Sequence, residues 1–219
     1  MIEARSIIKR YAGTEKPAVD HLDLDVRDGE FLSIVGRSGS GKSTLLHILS
    51  SLIKADSGSI MFRGLDIRAA SESRRNSLRG NDFAVVFQQH HLLPHLSALE
   101  NVLLPFCNRL SPVNARQISA ARNMLKRVGL EHKEDSRPGR LSGGEQQRVA
   151  IARALARGAN VLFADEPTGS LDFATGTSII DFLHELNKDG LTVVMVTHND
   201  EFAQRSERVV RMADGMIVS

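Results

Sequence analysis

Apolar positions follow two rhythms along the chain. Four short runs are apolar almost throughout: "FLSIV" (31–35), "FAVVF" (83–87), "NVLFAD" (160–165) and "TVVMVT" (192–197). Runs of this length predict strands buried on both faces. Between them, helical spacing of apolar residues predicts helices over 42–52, 115–128, 144–156 and 177–188. Strands alternating with helices predict an α/β fold with a largely parallel sheet covered on both sides.

Other stretches break this rhythm. Residues 2–30 and "GSIMFRG" (58–64) alternate apolar with polar positions and predict a small antiparallel β subdomain. From about 89 to 157 strand patterns vanish, which predicts a helical subdomain inserted between core stretches at about 1–88 and 158–219. The whole chain, 1–219, is expected to form one domain with these subdivisions.

Composition changes that picture little. Lys plus Arg number 28 against 26 Asp plus Glu, a net charge of +2, so no basic footprint points to nucleic acid. Arg74, Arg75 and Arg79 are expected to form a solvated helix face. A single cysteine, Cys107, forms no internal disulfide and fits a reducing compartment. The first residues, "MIEARSIIKRY", have no apolar signal-peptide core, and no apolar run approaches the ~18 residues of a membrane span. A soluble, cytoplasmic chain is expected.

Candidate chemistry sits at the ends of the buried strands. "GRSGSGKST" (36–44) follows "FLSIV" and opens a helix, the context that a phosphate loop requires. In it, Gly36, Arg37, Ser38, Gly39, Ser40 and Gly41 offer backbone N–H groups to phosphate oxygens. Lys42 neutralises β/γ charge, the Ser43 hydroxyl suits Mg²⁺, and Thr44 completes the motif. "VLFADEP" (161–167) ends a buried strand in two carboxylates: Asp165 suits the Mg²⁺ shell, and Glu166 a general base acting on water. "NKDG" (187–190) has glycine where a guanine-reading motif needs aspartate, so no guanine specificity is expected. His90, His91 and His95 have no Cys or carboxylate neighbours and are not expected to hold a metal. "LSGGEQQR" (141–148) is a second glycine-rich helix start, with Ser142, Gly143 and Gly144 as donors for a second anion.

With that last segment added, the sequence resembles the nucleotide-binding subunit of an ATP-binding cassette transporter over essentially its whole length. Tyr11, the phosphate loop, Gln88, "LSGGEQQR", "VLFADEP", "GSLD" (169–172) and His198 stand in the family's order. The resemblance implies a phosphate-loop NTPase core that binds and hydrolyses ATP with Mg²⁺. It implies that Tyr11 stacks on adenine, that Gln88 senses Mg²⁺ and the γ-phosphate, and that His198 contacts the γ-phosphate. Mg²⁺ would be held by Ser43, Gln88 and, through water, Asp165. Two copies would pair head to tail, so that Ser142, Gly143 and Gly144 of one cap the ATP of the other, with Asp172 at the seam.

"HHLLPHLSALENVLLP" (90–105), "RSGSGKSTLLHIL" and "ADEPTGSLD" look like the subgroup of lipoprotein-releasing (LolD-type) and macrolide-exporter (MacB-type) ATPases. That implies a homodimer driving integral membrane permease subunits from the cytoplasmic face of the inner or plasma membrane, as a peripheral protein. The alternative reading is a regulatory or assembly ATPase, FtsE-like or SufC-like, acting through a protein partner. A chromosome-organising ATPase would need a long coiled coil before "LSGG", and no sustained heptads are present. The sequence departs from the family at Ser50–Ser51, where a glycine pair is common, at Ala55, where proline is common, and at "PGR" before "LSGG".

Overall fold

The computed structural model of the chain describes residues 1–107 and 112–218. Its elements are β1 (Ile2–Lys9), β2 (Val19–Val26), β3 (Phe31–Val35), α1 (Lys42–Leu49), β4 (Ser57–Phe62), β5 (Leu65–Asp66), α2 (Glu72–Asn81), β6 (Phe83–Val86) and α3 (Ala98–Leu103). Then follow α4 (Ala115–Arg127), α5 (Gly143–Leu155), β7 (Val161–Asp165), α6 (Phe173–Lys188), β8 (Thr192–Thr197), α7 (Asp200–Ala203), β9 (Arg208–Ala213) and β10 (Met216–Ile217).

The four apolar runs become β3, β8, β7 and β6, joined in parallel in a six-stranded sheet of order β10-β9-β3-β8-β7-β6. Successive side chains of a strand point to opposite faces, and the core divides accordingly. Leu32, Ile34, Phe163, Val194 and Val196 pack with α1 and the antiparallel strands. Phe31, Leu162, Ala164, Val193 and Met195 pack with α4, α5 and α6. Both faces are buried, which is why these runs lack polar alternation. The second sheet, β2-β1-β4-β5, is wholly antiparallel, as the alternation of residues 2–30 and 58–64 predicts. Edge-on ring contacts from Phe62 to Phe83 (4.8 Å) and from Phe83 to Phe163 (5.3 Å) tie it to the main sheet.

Three expectations need correction, and one strand was not predicted. Helix α1 stops at Leu49 rather than 52: Ser50 caps it, and Ser51 turns left-handed at φ 62°. Helix α6 begins at Phe173 rather than 177, because the Asp172 side chain accepts the Thr175 N–H and caps an earlier turn. Arg75 and Arg79 are not free on a solvated face; both pair with Glu72, and Arg79 Nη1 also donates to Ser51 O at 2.6 Å. The strand that was not predicted is β9, which runs parallel to β3 and lies between it and β10. Its charged alternation, "RVVRMA", hides a strand with only Val210 and Met212 buried.

Between β6 and β7 the described residues hold helices and turns but no strand. Residues 108–111 of that stretch lie outside the described residues. The Gln88 segment runs as irregular chain until Ser97 caps α3 through a reciprocal box with Glu100.

Candidate functional site

Strand β3 delivers the chain to Gly36, and helix α1 begins at Lys42, so the glycine-rich loop is held between a buried strand and a helix. Gly41 caps α1 at φ 98°, and a Cβ there would sit 2.0 Å from Ala18 O, so no side chain fits. Within the loop the Ser40 N–H donates to Arg37 O at 3.2 Å, while the buried Ser40 hydroxyl has no partner among the described residues.

Lys42 is only 7% exposed. Its ammonium donates to Gly36 O at 2.8 Å and Arg37 O at 2.9 Å, and it forms no ion pair among the described residues. A buried cation held only by carbonyls lacks its natural counter-charge, so the position is prepared for an anion. One residue on, the Ser43 hydroxyl donates to Asp165 Oδ1 at 2.8 Å, joining the helix start to the end of β7. The other Asp165 oxygen lies 3.3 Å from His47 Nε2, one helical turn below Ser43.

Glu166 sits at φ 49°, a left-handed conformation that is costly for a side-chain-bearing residue. Its N–H donates to Val196 O at 2.9 Å, and its own carbonyl accepts from the Gly169 N–H at 3.0 Å. This pinned turn brings its Oε2 to 2.9 Å from His198 Nδ1, at the end of β8. Gln88 packs beside the same turn: a Cβ on Gly169 would lie 2.8 Å from Gln88 Nε2. Ser38, Lys42, Ser43, Thr44, Gln88, Glu166 and His198 all line one cavity of about 710 Å³. Its size suits a nucleotide. Tyr11 stands at the rim, 44% exposed, with its hydroxyl 3.4 Å from Thr44 Oγ1.

Ser43, Asp165 and Gln88 also form a fitting donor set for Mg²⁺. That ion favours one or two carboxylates plus substrate phosphates over an all-protein cage, and among the described residues no cluster of three or more His, Cys, Asp or Glu competes for it.

The signature residues do not line this cavity. Ser142 caps α5 by a reciprocal box: its hydroxyl accepts the Glu145 N–H at 3.3 Å, and Glu145 Oε2 accepts the Ser142 N–H at 2.7 Å. The Ser142 N–H holds the Glu145 carboxyl below its ordinary value. Gly144 is buried against α6, where a Cβ would meet Thr175 Cγ2 at 2.4 Å, so glycine here also serves helix packing. Asp172 caps α6, and its bonds from Thr175 hold its carboxyl below its ordinary value.

Two contributors escaped the sequence reading. His47 could have been found by helical spacing, four residues after Ser43. Arg153 could not: from α5 its guanidinium donates to His91 O at 2.7 Å and His90 O at 2.8 Å, tying the segment after Gln88 to the signature helix. Burial pushes the Arg153 guanidinium below its ordinary value.

A family model described as ABC transporter matches residues 19–169. The macrolide export ATP-binding/permease protein MacB of Nitrosomonas europaea is 47% identical over 222 residues, taking in 100% of this chain but 34% of that protein. The chain thus spans about a third of the MacB relatives it matches, at 34% of their length. The lipoprotein-releasing system ATP-binding protein LolD 2 of Rhodopirellula baltica is 45% identical, over 99% of this chain and 88% of its own length. Among solved structures, the dimeric bacterial ABC transporter cassette MJ0796 is similar at a TM-score of 0.89 and 40% identity, covering 100% of this chain and 97% of that one. The same cassette in a dimeric post-hydrolysis state bound to ADP and Pi also scores 0.89, at 39% identity.

Proposed function

Because the chain belongs to the ATP-binding cassette transporter family as an ATPase cassette, we propose that it hydrolyses ATP as a head-to-tail homodimer that drives integral membrane permease subunits. One observation carries the reading: a buried Lys42 ammonium with only carbonyl partners, in the same cavity as Glu166 and His198. Lys42 and the loop N–H groups bind the β/γ-phosphates, and Tyr11 stacks on the adenine from the rim. Ser43, Gln88 and, through water, Asp165 would hold Mg²⁺, which would supply charge neutralisation to the phosphates. Glu166 orients a water and takes its proton as the water oxygen bonds to the γ-phosphorus; the bond to the β-phosphate oxygen breaks, giving ADP and phosphate. His198, bonded to Glu166, fixes the carboxylate and contacts the γ-phosphate.

Ser142, Gly143, Gly144 and Asp172 act on the ATP of the second copy. Residues 89–157 serve as the helical subdomain within the single domain 1–219. The permease partner is of the lipoprotein-release or MacB type, and the chain lies peripherally on the cytoplasmic face of the inner or plasma membrane. This placement is supported by the relatives' names and by the absence, among the described residues, of any helix long and apolar enough to cross a membrane.

Glu166→Gln keeps the side chain's size but removes the base. It should hydrolyse ATP at least ~100-fold more slowly, and elute as a dimer with ATP and a monomer without nucleotide. A variant that stays monomeric in saturating ATP and still turns over refutes the mechanism. Affinity purification from detergent-solubilised membranes should bring down an integral membrane protein; recovery of soluble partners alone would refute the permease and leave the ATPase standing.

A further inference from the structure

Helix α1 sends two polar side chains to one carboxylate. The Ser43 hydroxyl donates to Asp165 Oδ1 at 2.8 Å, and one turn further along the helix His47 Nε2 lies 3.3 Å from Asp165 Oδ2. The two contacts differ in quality. Ser43 makes a well-formed bond, whereas His47 approaches obliquely: its Nε2 is buried and has no hydrogen-bond partner among the described residues. A buried ring nitrogen without a partner is destabilising, so packing alone would be better served here by an apolar side chain.

The imidazole has a second neighbour. Its ring meets Phe87 at 5.8 Å between centroids, tilted by 58°, and Phe87 is the residue before Gln88. His47 thus stands between the Asp165 carboxylate and the segment that carries Gln88. It does not itself line the nucleotide cavity, so any influence on bound nucleotide passes through those two neighbours.

The chemistry of Mg²⁺ separates ligand from support. This ion takes oxygen donors, so an imidazole beside its site is a poor ligand for it. Groups that hold a metal are in turn oriented by hydrogen bonds from residues behind them. A carboxylate has about four acceptor sites. Ser43 takes one on Oδ1 and His47 faces Oδ2, which leaves the others open. A Ser43 hydroxyl whose proton points at Asp165 keeps its oxygen lone pairs for a cation.

We propose that His47 is a positioning residue of the Mg²⁺ site. With its proton on Nε2 it donates to Asp165 Oδ2 and fixes the plane of that carboxylate, while its ring braces Phe87 and so the start of the Gln88 segment. The proposal rests on the reading that Ser43, Asp165 and Gln88 hold Mg²⁺.

The test measures metal linkage rather than turnover. Isothermal titration gives the affinity of the full chain for adenylyl imidodiphosphate, an ATP analogue that resists hydrolysis, in Mg²⁺ and again in EDTA. The ratio of the two affinities reports what the metal adds. His47→Phe keeps a ring against Phe87 but has no donor, whereas His47→Gln loses the ring but returns an N–H near the place of Nε2. His47→Phe should lower the ratio by on the order of tenfold, the weight of a hydrogen bond that supports a metal ligand. Its affinity in EDTA should stay unchanged, and His47→Gln should restore most of the ratio. Should His47→Phe fail to fold, His47→Met, which also lacks a donor, carries the same expectation. A wild-type ratio in the donor-free variant, equal losses in Mg²⁺ and EDTA, or a His47→Gln ratio just as low would overturn the role of His47 and leave the Mg²⁺ reading standing. A wild-type chain that binds the analogue equally well with and without Mg²⁺ would overturn that reading, and this proposal with it.

Discussion

The phosphate loop and the signature segment are both glycine-rich turns that open a helix, yet their own chain completes only one of them. Around the phosphate loop, β7 and β8 supply what the loop lacks: Asp165 meets Ser43 at 2.8 Å, and Glu166 meets His198 at 2.9 Å beside the buried Lys42. At the signature, Ser142 and Glu145 spend their polar atoms on capping their own helix. That box leaves the N–H groups of Gly143 and Gly144, the first two of α5, outside it. A chain can prepare a buried cation by itself, because carbonyls stabilise it until an anion arrives. It cannot bring the start of α5 onto its own nucleotide cavity, which the signature residues do not line. In the proposed homodimer, two half-sites of this kind would complete each other between copies related by a two-fold axis.

The largest expected effect breaks that complementarity directly. Ser142→Arg places a bulky cation at the start of α5, which the proposed dimer turns to the second copy's ATP, and should abolish hydrolysis while leaving ATP binding by the monomer intact. Mixing it with Lys42→Ala chains should restore part of the activity, since one composite site then joins an intact phosphate loop to an intact signature. No recovery at any ratio, with heterodimers demonstrated by differential tagging, would show that each half-site works within its own chain.

A smaller effect probes the base end of the phosphate-loop half. Tyr11→Ala should weaken ATP binding by about 1 kcal/mol, and Tyr11→Phe should stay near wild type, because the ring rather than the hydroxyl would carry the stacking. Isothermal titration with both variants decides it: equal, negligible changes remove Tyr11 from the site.

The smallest concerns the signature cap. Glu145→Ala should cost about 0.5–1 kcal/mol of stability, as losing half of a capping box does. The Ser142 N–H lowers the Glu145 pKa in the folded chain, so this contribution is complete above the ordinary value of 4.5 and is lost as pH falls through the folded-state value. Glu145→Gln keeps an acceptor without a titrating proton. Thermal melts from pH 7 to 3 should therefore show a smaller acid loss for the glutamine variant than for wild type. Identical acid profiles would mean that the cap carries no stability of its own.

Much of this was legible in the chain because the physics involved is local. "FLSIV" and "TVVMVT" are strands to the residue, since five or six consecutive buried positions leave no other economical arrangement. The phosphate loop was legible because its chemistry depends on residues adjacent in sequence. Other features depended on distant partners. The early end of α1 follows from Ser51, whose carbonyl is held by an arginine 28 residues away. Arg75 and Arg79 read as solvent-facing because their partner Glu72 and the cavity beside them emerge only when α2 packs beyond α1.

By itself, then, the sequence determined the strand–helix alternation, the phosphate loop and the paired carboxylates after "VLFA", because periodicity and short-range spacing express burial and helix capping directly. Only the tertiary structure decided that β9 lies beside β3, that the left-handed turn at Glu166 aims its carboxylate at His198, and that Arg153 grips the chain after Gln88. Each of those joins residues 32 to 178 positions apart, from Glu166–His198 to Glu30–Arg208, whose Nε donates at 2.6 Å. Contacts at such separations leave no periodic trace in the chain; they form when the buried faces of sheet and helices close on one another and fix which polar groups meet.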